Sequence, residues 1–357
     1  MTKYIQSPRL LIVSDSLAAG LGGVVLSQVE WFIHQGWEIR VASRVDERSV
    51  ELPMRATDIR IPFSVRSVRE VIGAVRHMRR LCHAFQPHLV HCHGIRSSVI
   101  AALAGRRPIV HLHGSGPVPS DPPLYNLFRT VALSMIPRLA AGAISASPDF
   151  GAGWLYQPDV SPKLASMSRL PFPSPDSRPT FLWLGRLEEQ KRPDLFVRAL
   201  AQVGKVKEVR GLIAGTGSLE PELRAQAEEL EAPIQFLGER MDIVDLLQEA
   251  WVLALLTRFE GMPLAVEEAM WAGRAIVASK VPSLEWLVDG AGFLVDGLQD
   301  LVDALTALTD RSLAERYGQT AAERIRAILP TVVWGTVDEL YERRMRKLKA
   351  QCGTDNH

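Results

Sequence analysis

Little in this 357-residue chain suits an oxidising compartment or a bilayer span. Its three cysteines, Cys82, Cys92 and Cys352, are odd in number and lack framework spacing, which excludes a disulfide scaffold and fits a reducing compartment. No apolar run approaches the ~20 residues that a membrane-spanning helix requires. The opening MTKYIQSPRLLIVSDS has a short apolar run followed by Asp15, the pattern of a first strand rather than a secretory leader. Metal frameworks such as CxxC and HExxH are missing, as are the dinucleotide fingerprint GxGxxG and a DxD motif. These absences predict a cytoplasmic protein, disfavour a periplasmic binding protein, and give no framework for a bound metal.

What is present is a soluble globular composition, 47% hydrophobic, in a chain long enough for two domains. The net charge of +1 hides an asymmetry: residues 1–170 carry 19 Lys and Arg against 11 Asp and Glu, and the remainder carries 22 against 29. The basic first half suits an anionic partner, such as a phospholipid surface, a diphosphate-linked acceptor or nucleic acid. It equally suits an arginine-rich surface with no such partner.

Arg9 to Ser14 reads as a buried parallel strand, Asp15 to Gly23 as a glycine-rich loop, and Val24 to Gln35 as an amphipathic helix. With the next strand, Trp37 to Ala42, they form a βαβ unit. Gly22 and Gly23 would let a phosphate or sugar approach backbone N–H groups, or simply make a tight turn. Ser64 to Phe85 is a long arginine-studded helix pattern, which fits a crossover helix and, less well, one lying on an anionic membrane. His88 to Gly94 and Ile109 to Gly114 each read as a strand ending in His-x-His-Gly. Residues two apart share a strand face, so His91 points with His93 and His111 with His113. Neutral imidazoles bonding substrate hydroxyls fit this rim better than a zinc site with Cys92 nearby. Gly114 to Pro123 is a turn-rich loop suited to an acceptor, and Tyr125 to Leu139 an apolar helix expected in the core.

Leu170 to Pro179 holds four prolines and reads as a stiff connector between domains. Beyond it, strands at Thr180 to Leu184, Arg210 to Ala214 and Ile234 to Leu237 each end in a glycine turn. Arg186 and Lys191 lie on the first of these turns, where two cations suit a diphosphate. The turn at Gly215 and the loop Glu239 to Met241 are natural walls for a base. The stretch from Thr257 to Ala278 follows a buried strand and contains Glu260, Gly261, Met262, Pro263, a short helix from Leu264 to Trp271, and a further strand. A helix start of this kind aims N–H groups at an anion, with Glu260 before it and Glu268 within it. The two carboxylates also fit a solvated helix face. Val332 to Lys349 forms a last helix.

Taken in order, the early Gly-Gly, the strand-end His-Gly, GRLEEQK, GTGSLEPEL, FLGER, FEGMPLAVEEAMWAGRAIVAS and SLEWLVDGAGFLV resemble the retaining glycosyltransferase family 4, over nearly the whole chain. The resemblance implies an α/β GT-B fold with two Rossmann-like doubly wound domains facing a cleft. These are 1–170 on the acceptor side, 171–330 binding the nucleotide sugar, and 331–357 as a helix crossing back to the first domain. It implies that Arg186 and Lys191 bind the donor diphosphate, Glu268 the ribose, and Glu260 the donor sugar. Backbone groups of Gly261, Met262 and Leu264, with Gly215, would line the donor site. Gly22, Gly23 and His113 would meet it from the first domain. The expected activity is metal-independent, retaining transfer of a hexose from a UDP-sugar, or next a GDP-sugar, to a glycan or lipid-linked hydroxyl in polysaccharide or glycolipid biosynthesis. The expected place is the cytoplasm, with peripheral contact at the inner membrane face, and no nucleic-acid partner. The alternatives are a noncatalytic nucleotide-sugar-binding subunit and a sugar-nucleotide epimerase on a similar fold. Two departures stand out: Arg274–Ala275 where a proline usually follows, and Val281-Pro282-Ser283 where a Gly-Gly turn is common.

Overall fold

The structure is a computed structural model and describes residues 8–17, 19–43, 53, 56–60, 68–114, 123–146, 152–165, 167–328 and 335–354. Most of the acceptor-side loop, at 115–122, and the start of the helix expected from Ser64 lie outside these residues. The chain divides into two compact units, Met1–Pro162 with Val332–His357, and Lys163–Thr331.

Unit 1 contains β1 (Arg9–Ser14), α1 (Ala19–His34), β2 (Glu38–Ser43), β3 (Ala56–Arg60), α2 (Val68–Phe85), β4 (Leu89–His93), α3 (Ile95–Leu103), β5 (Ile109–Leu112), α4 (Pro123–Leu139), β6 (Gly142–Ser145) and β7 (Leu155–Tyr156). All its strand pairs are parallel, in the order β3-β2-β1-β4-β5-β6-β7. The central strands are buried along their length, as strands covered on both faces must be. Alternation then sorts their side chains. Leu11, Val13, Val90 and Cys92 face α2 and α3, and Val110, Leu112 and Ala143 face α4. The residues between them, including His91, His93 and His111, face the other side.

Unit 2 contains β8 (Thr180–Leu184), α5 (Pro193–Gly204), β9 (Arg210–Ala214), α6 (Glu220–Glu229), β10 (Ile234–Gly238), α7 (Ile243–Glu249), β11 (Val252–Leu255), α8 (Leu264–Trp271), β12 (Ala275–Ser279), α9 (Pro282–Val288), β13 (Phe293–Val295), α10 (Leu298–Ala307) and α11 (Arg311–Ile328). Its parallel sheet runs β10-β9-β8-β11-β12-β13, the doubly wound order with a switch point between β8 and β11. The last helix, α12 (Gly335–Thr354), packs in unit 1. Tyr341 of α12 stacks on Phe32 with ring centres 4.7 Å apart. A Cβ on Gly142 would lie 2.5 Å from Leu340, so the missing side chain there admits this helix.

Three expectations are corrected. Gly22 and Gly23 are not in a loop: α1 starts at Ala19, and Gly22 is buried within the helix. The helix expected in the core at 125–139 is buried on one side only. Leu127, Val131, Met135 and Leu139, four apart, form a stripe on α4 with exposures of 42% to 61%. Ile136 and Ala140 make the core contact instead. The proline-rich stretch is no free connector. Arg274 donates to the Pro171 carbonyl at 2.7 Å, Arg311 donates to that of Pro173, and Phe172 packs on the unit 2 core. Arg274 is fully buried, also donates to the Leu247 carbonyl, and has its pKa lowered to about 10 by burial and by nearby Arg169. Arg274, which follows Gly273, therefore straps this segment to unit 2.

Candidate active site

In unit 2, the predicted donor residues gather at the carboxyl edge of the sheet. β8 ends in Gly185, and the loop beyond carries Arg186 and a short turn, Glu189–Lys191. Gly215 has φ +140°, and a Cβ there would lie 1.8 Å from the Gly185 carbonyl oxygen. Glycine is thus required where the β8 and β9 loops pass each other. Glu188 accepts from the N–H and hydroxyl of Ser218 and ties the two loops together.

The loop after β11 folds onto this pair. Gln190 donates to the Phe259 carbonyl at 3.0 Å and accepts from Arg186 at 3.4 Å. The Arg258 N–H donates to the Gln190 carbonyl at 2.9 Å. Ser283, in the segment that replaces the usual Gly-Gly turn, donates to the Glu260 carbonyl at 3.1 Å. These bonds hold the Lys191 ammonium against the Glu260 carboxylate, the two side chains 15% and 9% exposed. Arg186 remains exposed.

Pro263 starts α8 in an extended conformation without a capping side chain, so no side chain competes for the first helical N–H groups. Gly261 and Met262 are buried just before it, and Leu264 is its first residue. Glu268 lies within α8, almost covered, with Lys163 Nζ at 3.7 Å. Glu267 is fully buried on another face. The edge therefore combines cations, helix N–H groups and two carboxylates at different depths, an arrangement suited to a diphosphate flanked by hydroxyl-bearing groups.

In unit 1, β4 and β5 bring four imidazoles together. The rings of His91 and His93 lie 4.7 Å apart, and those of His111 and His113 4.3 Å apart. His91, His93 and His111 are fully buried, and burial, followed by the neighbouring imidazoles, holds each well below the usual histidine range. They are neutral. His113 lies just past β5 and is 15% exposed. Its Nδ1 is 2.7 Å from Asp159, and its Nε2 is 2.7 Å from Nδ1 of His93. Nε2 of His93 lies 2.6 Å from Gln28 of α1, which in turn reaches Nδ1 of His91 at 3.1 Å and the Tyr341 hydroxyl at 3.2 Å. Two sets, His91-His93-His111 and His111-His113-Asp159, hold donor atoms close enough for a cation. Both nitrogens of His93 and of His113 have hydrogen-bond partners within this cluster.

Sequence reading missed Asp159, Gln28, Tyr341, Gln190 and Lys163. Nothing in the residues around each of them names its partner, and each meets that partner only through the fold.

A model of the glycosyl transferases group 1 matches residues 178–311, and one of the glycosyl transferase 4-like domain matches residues 19–154. The chain is 33% identical over 92 residues, 25% of its length, to a Campylobacter jejuni alpha-1,4-N-acetyl-D-galactosaminyltransferase acting on GalNAc-alpha-(1->4)-GalNAc-alpha-(1->3)-diNAcBac-PP-undecaprenol. It is 29% identical over 136 residues, 36% of its length, to an Escherichia coli UDP-Gal:alpha-D-GlcNAc-diphosphoundecaprenol alpha-1,3-galactosyltransferase. These matches span 26% and 33% of those relatives. Among solved structures, a sucrose-phosphate synthase from Thermosynechococcus elongatus matches with a TM-score of 0.78 at 19% identity, covering 96% of this chain and all of that one. Anabaena HepE in complex with UDP and glucose matches with a TM-score of 0.70 at 18% identity and the same coverage.

Proposed function

Because the chain belongs to the group 1 glycosyltransferases, with the GT-B fold, we propose that it transfers a hexose from a UDP-sugar to a hydroxyl of a lipid-linked or glycan acceptor, with retention and without a metal. The observation that carries this reading is the Lys191–Glu260 pair beside Arg186 and the uncapped start of α8. The uridine and the lipid-linked acceptor are supported by the Escherichia coli relative, which is a UDP-Gal:alpha-D-GlcNAc-diphosphoundecaprenol galactosyltransferase.

Transfer breaks the bond from the anomeric carbon to the diphosphate, and the electron pair leaves with the diphosphate. Lys191, Arg186 and the N–H groups of Gly261, Met262 and Leu264 stabilise that growing charge. The acceptor hydroxyl bonds to the anomeric carbon on the face the diphosphate leaves, and its proton passes to a diphosphate oxygen. Glu260 orients Lys191 and accepts from sugar hydroxyls, Glu268 accepts from ribose hydroxyls, and His113 is assigned to the transferred sugar.

Incubation with UDP- and GDP-sugars and undecaprenyl-diphosphate glycans tests the reading. The expected product is an α-linked glycan formed from the UDP-sugar at an unchanged rate in EDTA. Nucleotide binding without transfer would leave a binding subunit, and epimer formation without acceptor would leave an epimerase.

The outer side of α2 and α4 supports an anionic membrane as partner. No described helix is long and apolar enough to cross a membrane. Both helices cover the same face of the unit 1 sheet. Their exposed surfaces combine Val68, Ile72 and the α4 stripe with Arg69, Arg76, Arg79 and Arg80. The protein is expected to sediment with vesicles containing phosphatidylglycerol and to detach as salt rises. Equal sedimentation with neutral phosphatidylcholine vesicles, or none with either, would remove the membrane contact.

A further inference from the structure

We propose that Asp159 is the positioning residue for His113, bonding it directly at one end of a continuous chain of side chains whose other end is on α12. The proposal rests on the assignment of His113 to the transferred sugar.

Both Asp159 oxygens lie within 2.8 Å of Nδ1 of His113, and the carboxylate side chain is 3% exposed. An ionised carboxylate only accepts, so Nδ1 of His113 carries a proton. The rest of the chain permits two arrangements. If Gln28 turns its oxygen to His93, as placed here, His93 donates through Nε2 and receives at Nδ1, so His113 also donates from Nε2. If the Gln28 amide turns its nitrogen to His93, the bonds from Gln28 to His93 and from His93 to His113 reverse and His113 accepts at Nε2. The amide ends are assigned from the network, so both remain consistent with the geometry. The proton on Nδ1 is common to the two. Asp159 thus fixes the ring orientation and one tautomeric position whichever way the chain runs.

The segment that carries Asp159 is fixed as well. The Gln157 N–H donates to the Ser145 carbonyl at 3.0 Å, which sets the β7 segment beside β6. The Gln157 side chain accepts from the Thr336 N–H of α12 at 3.1 Å. At the far end, the Tyr341 hydroxyl of the same helix lies 2.7 Å from Nδ1 of His91. His111 also faces Asp159, with Nε2 at 3.6 Å. One helix therefore clamps both ends of the chain, and His113 is its one partly exposed imidazole.

The test uses the full-length protein labelled with 15N in histidine. Its long-range proton–nitrogen spectrum is expected to show His113 protonated at Nδ1. In Asp159→Asn that signal is expected to change, kcat to fall about 100-fold, and the donor KM to stay within about threefold, the mark of lost orientation rather than lost binding. Asp159→Glu keeps the acceptor and is expected to recover part of kcat. Three results would overturn the proposal: a bare Nδ1 on His113 in the wild type, wild-type kcat in Asp159→Asn despite an altered spectrum, or an equivalent of zinc whose removal moves these signals. The wild-type spectrum decides the tautomer even if Asp159→Asn does not fold. It needs no transferase assay, so failure of the sugar assignment, seen as full activity in His113→Ala, is distinguishable.

Discussion

Lys191→Ala is expected to lower kcat by about 100- to 1000-fold, the range seen when one preorganised partner of a developing anion is removed. The reasoning is local. The ammonium is largely covered and held against Glu260, so its charge is weakly screened and already in place when the diphosphate begins to leave. Arg186 is exposed, with a long contact to Gln190, so its charge is screened and its position is looser. Arg186→Ala is therefore expected to act mainly on the donor KM, with a smaller loss of kcat. Steady-state kinetics against the donor, with circular dichroism to confirm the fold, give the ordering. Wild-type kcat in Lys191→Ala would remove the diphosphate assignment. Equal kcat losses in both variants would remove the distinction drawn from burial.

A loss of stability in mild acid is the second large effect. His91, His93 and His111 are kept neutral by burial, whereas in the unfolded chain they protonate near pH 6.5. Below that pH the unfolded state binds more protons, so stability is complete above the unfolded value and is lost as pH falls. Each of the three histidines adds to this loss as pH falls below its unfolded value, and they act on the same pair of strands in unit 1. Hydrogen exchange by mass spectrometry at pH 7.5 and 5.5 reads this segment by segment. Protection of β4 and β5 is expected to fall towards pH 5.5, less so in His91→Gln and His111→Gln. Unchanged protection of both strands between the two pH values would contradict the neutral buried cluster.

Legibility in the sequence varied with how local each signal was. The run RLLIVS, buried from Leu10 on, and the fully buried TFLWL are strands because continuous apolar residues suit a sheet covered on both faces. Helix α8 begins at Leu264 and ends at Trp271 as its proline and glycine punctuation indicate. Strand β3, ATDIR, carries no apolar run and was not legible, nor was the nine-residue α3. The paired glycines misled for another reason. Gly22 and Gly23 have poor helix propensity, but packing within unit 1 carries α1 through them. In α4 the composition suggested burial, but the sheet covers only the side bearing Ile136.

By itself, the sequence determined the apolar strands of both sheets, the bounds of α8, and the shared face of each His-x-His pair. All of these follow from backbone periods of two and 3.6 residues and from local steric limits. Only the tertiary structure decided that Lys191 meets Glu260, 69 residues away, and that Asp159 meets His113, 46 away. It alone brought Tyr341 to His91 across 250 residues. The physical reason is that such partners are chosen by which strands become neighbours and which helix covers them, and no short-range pattern encodes that choice.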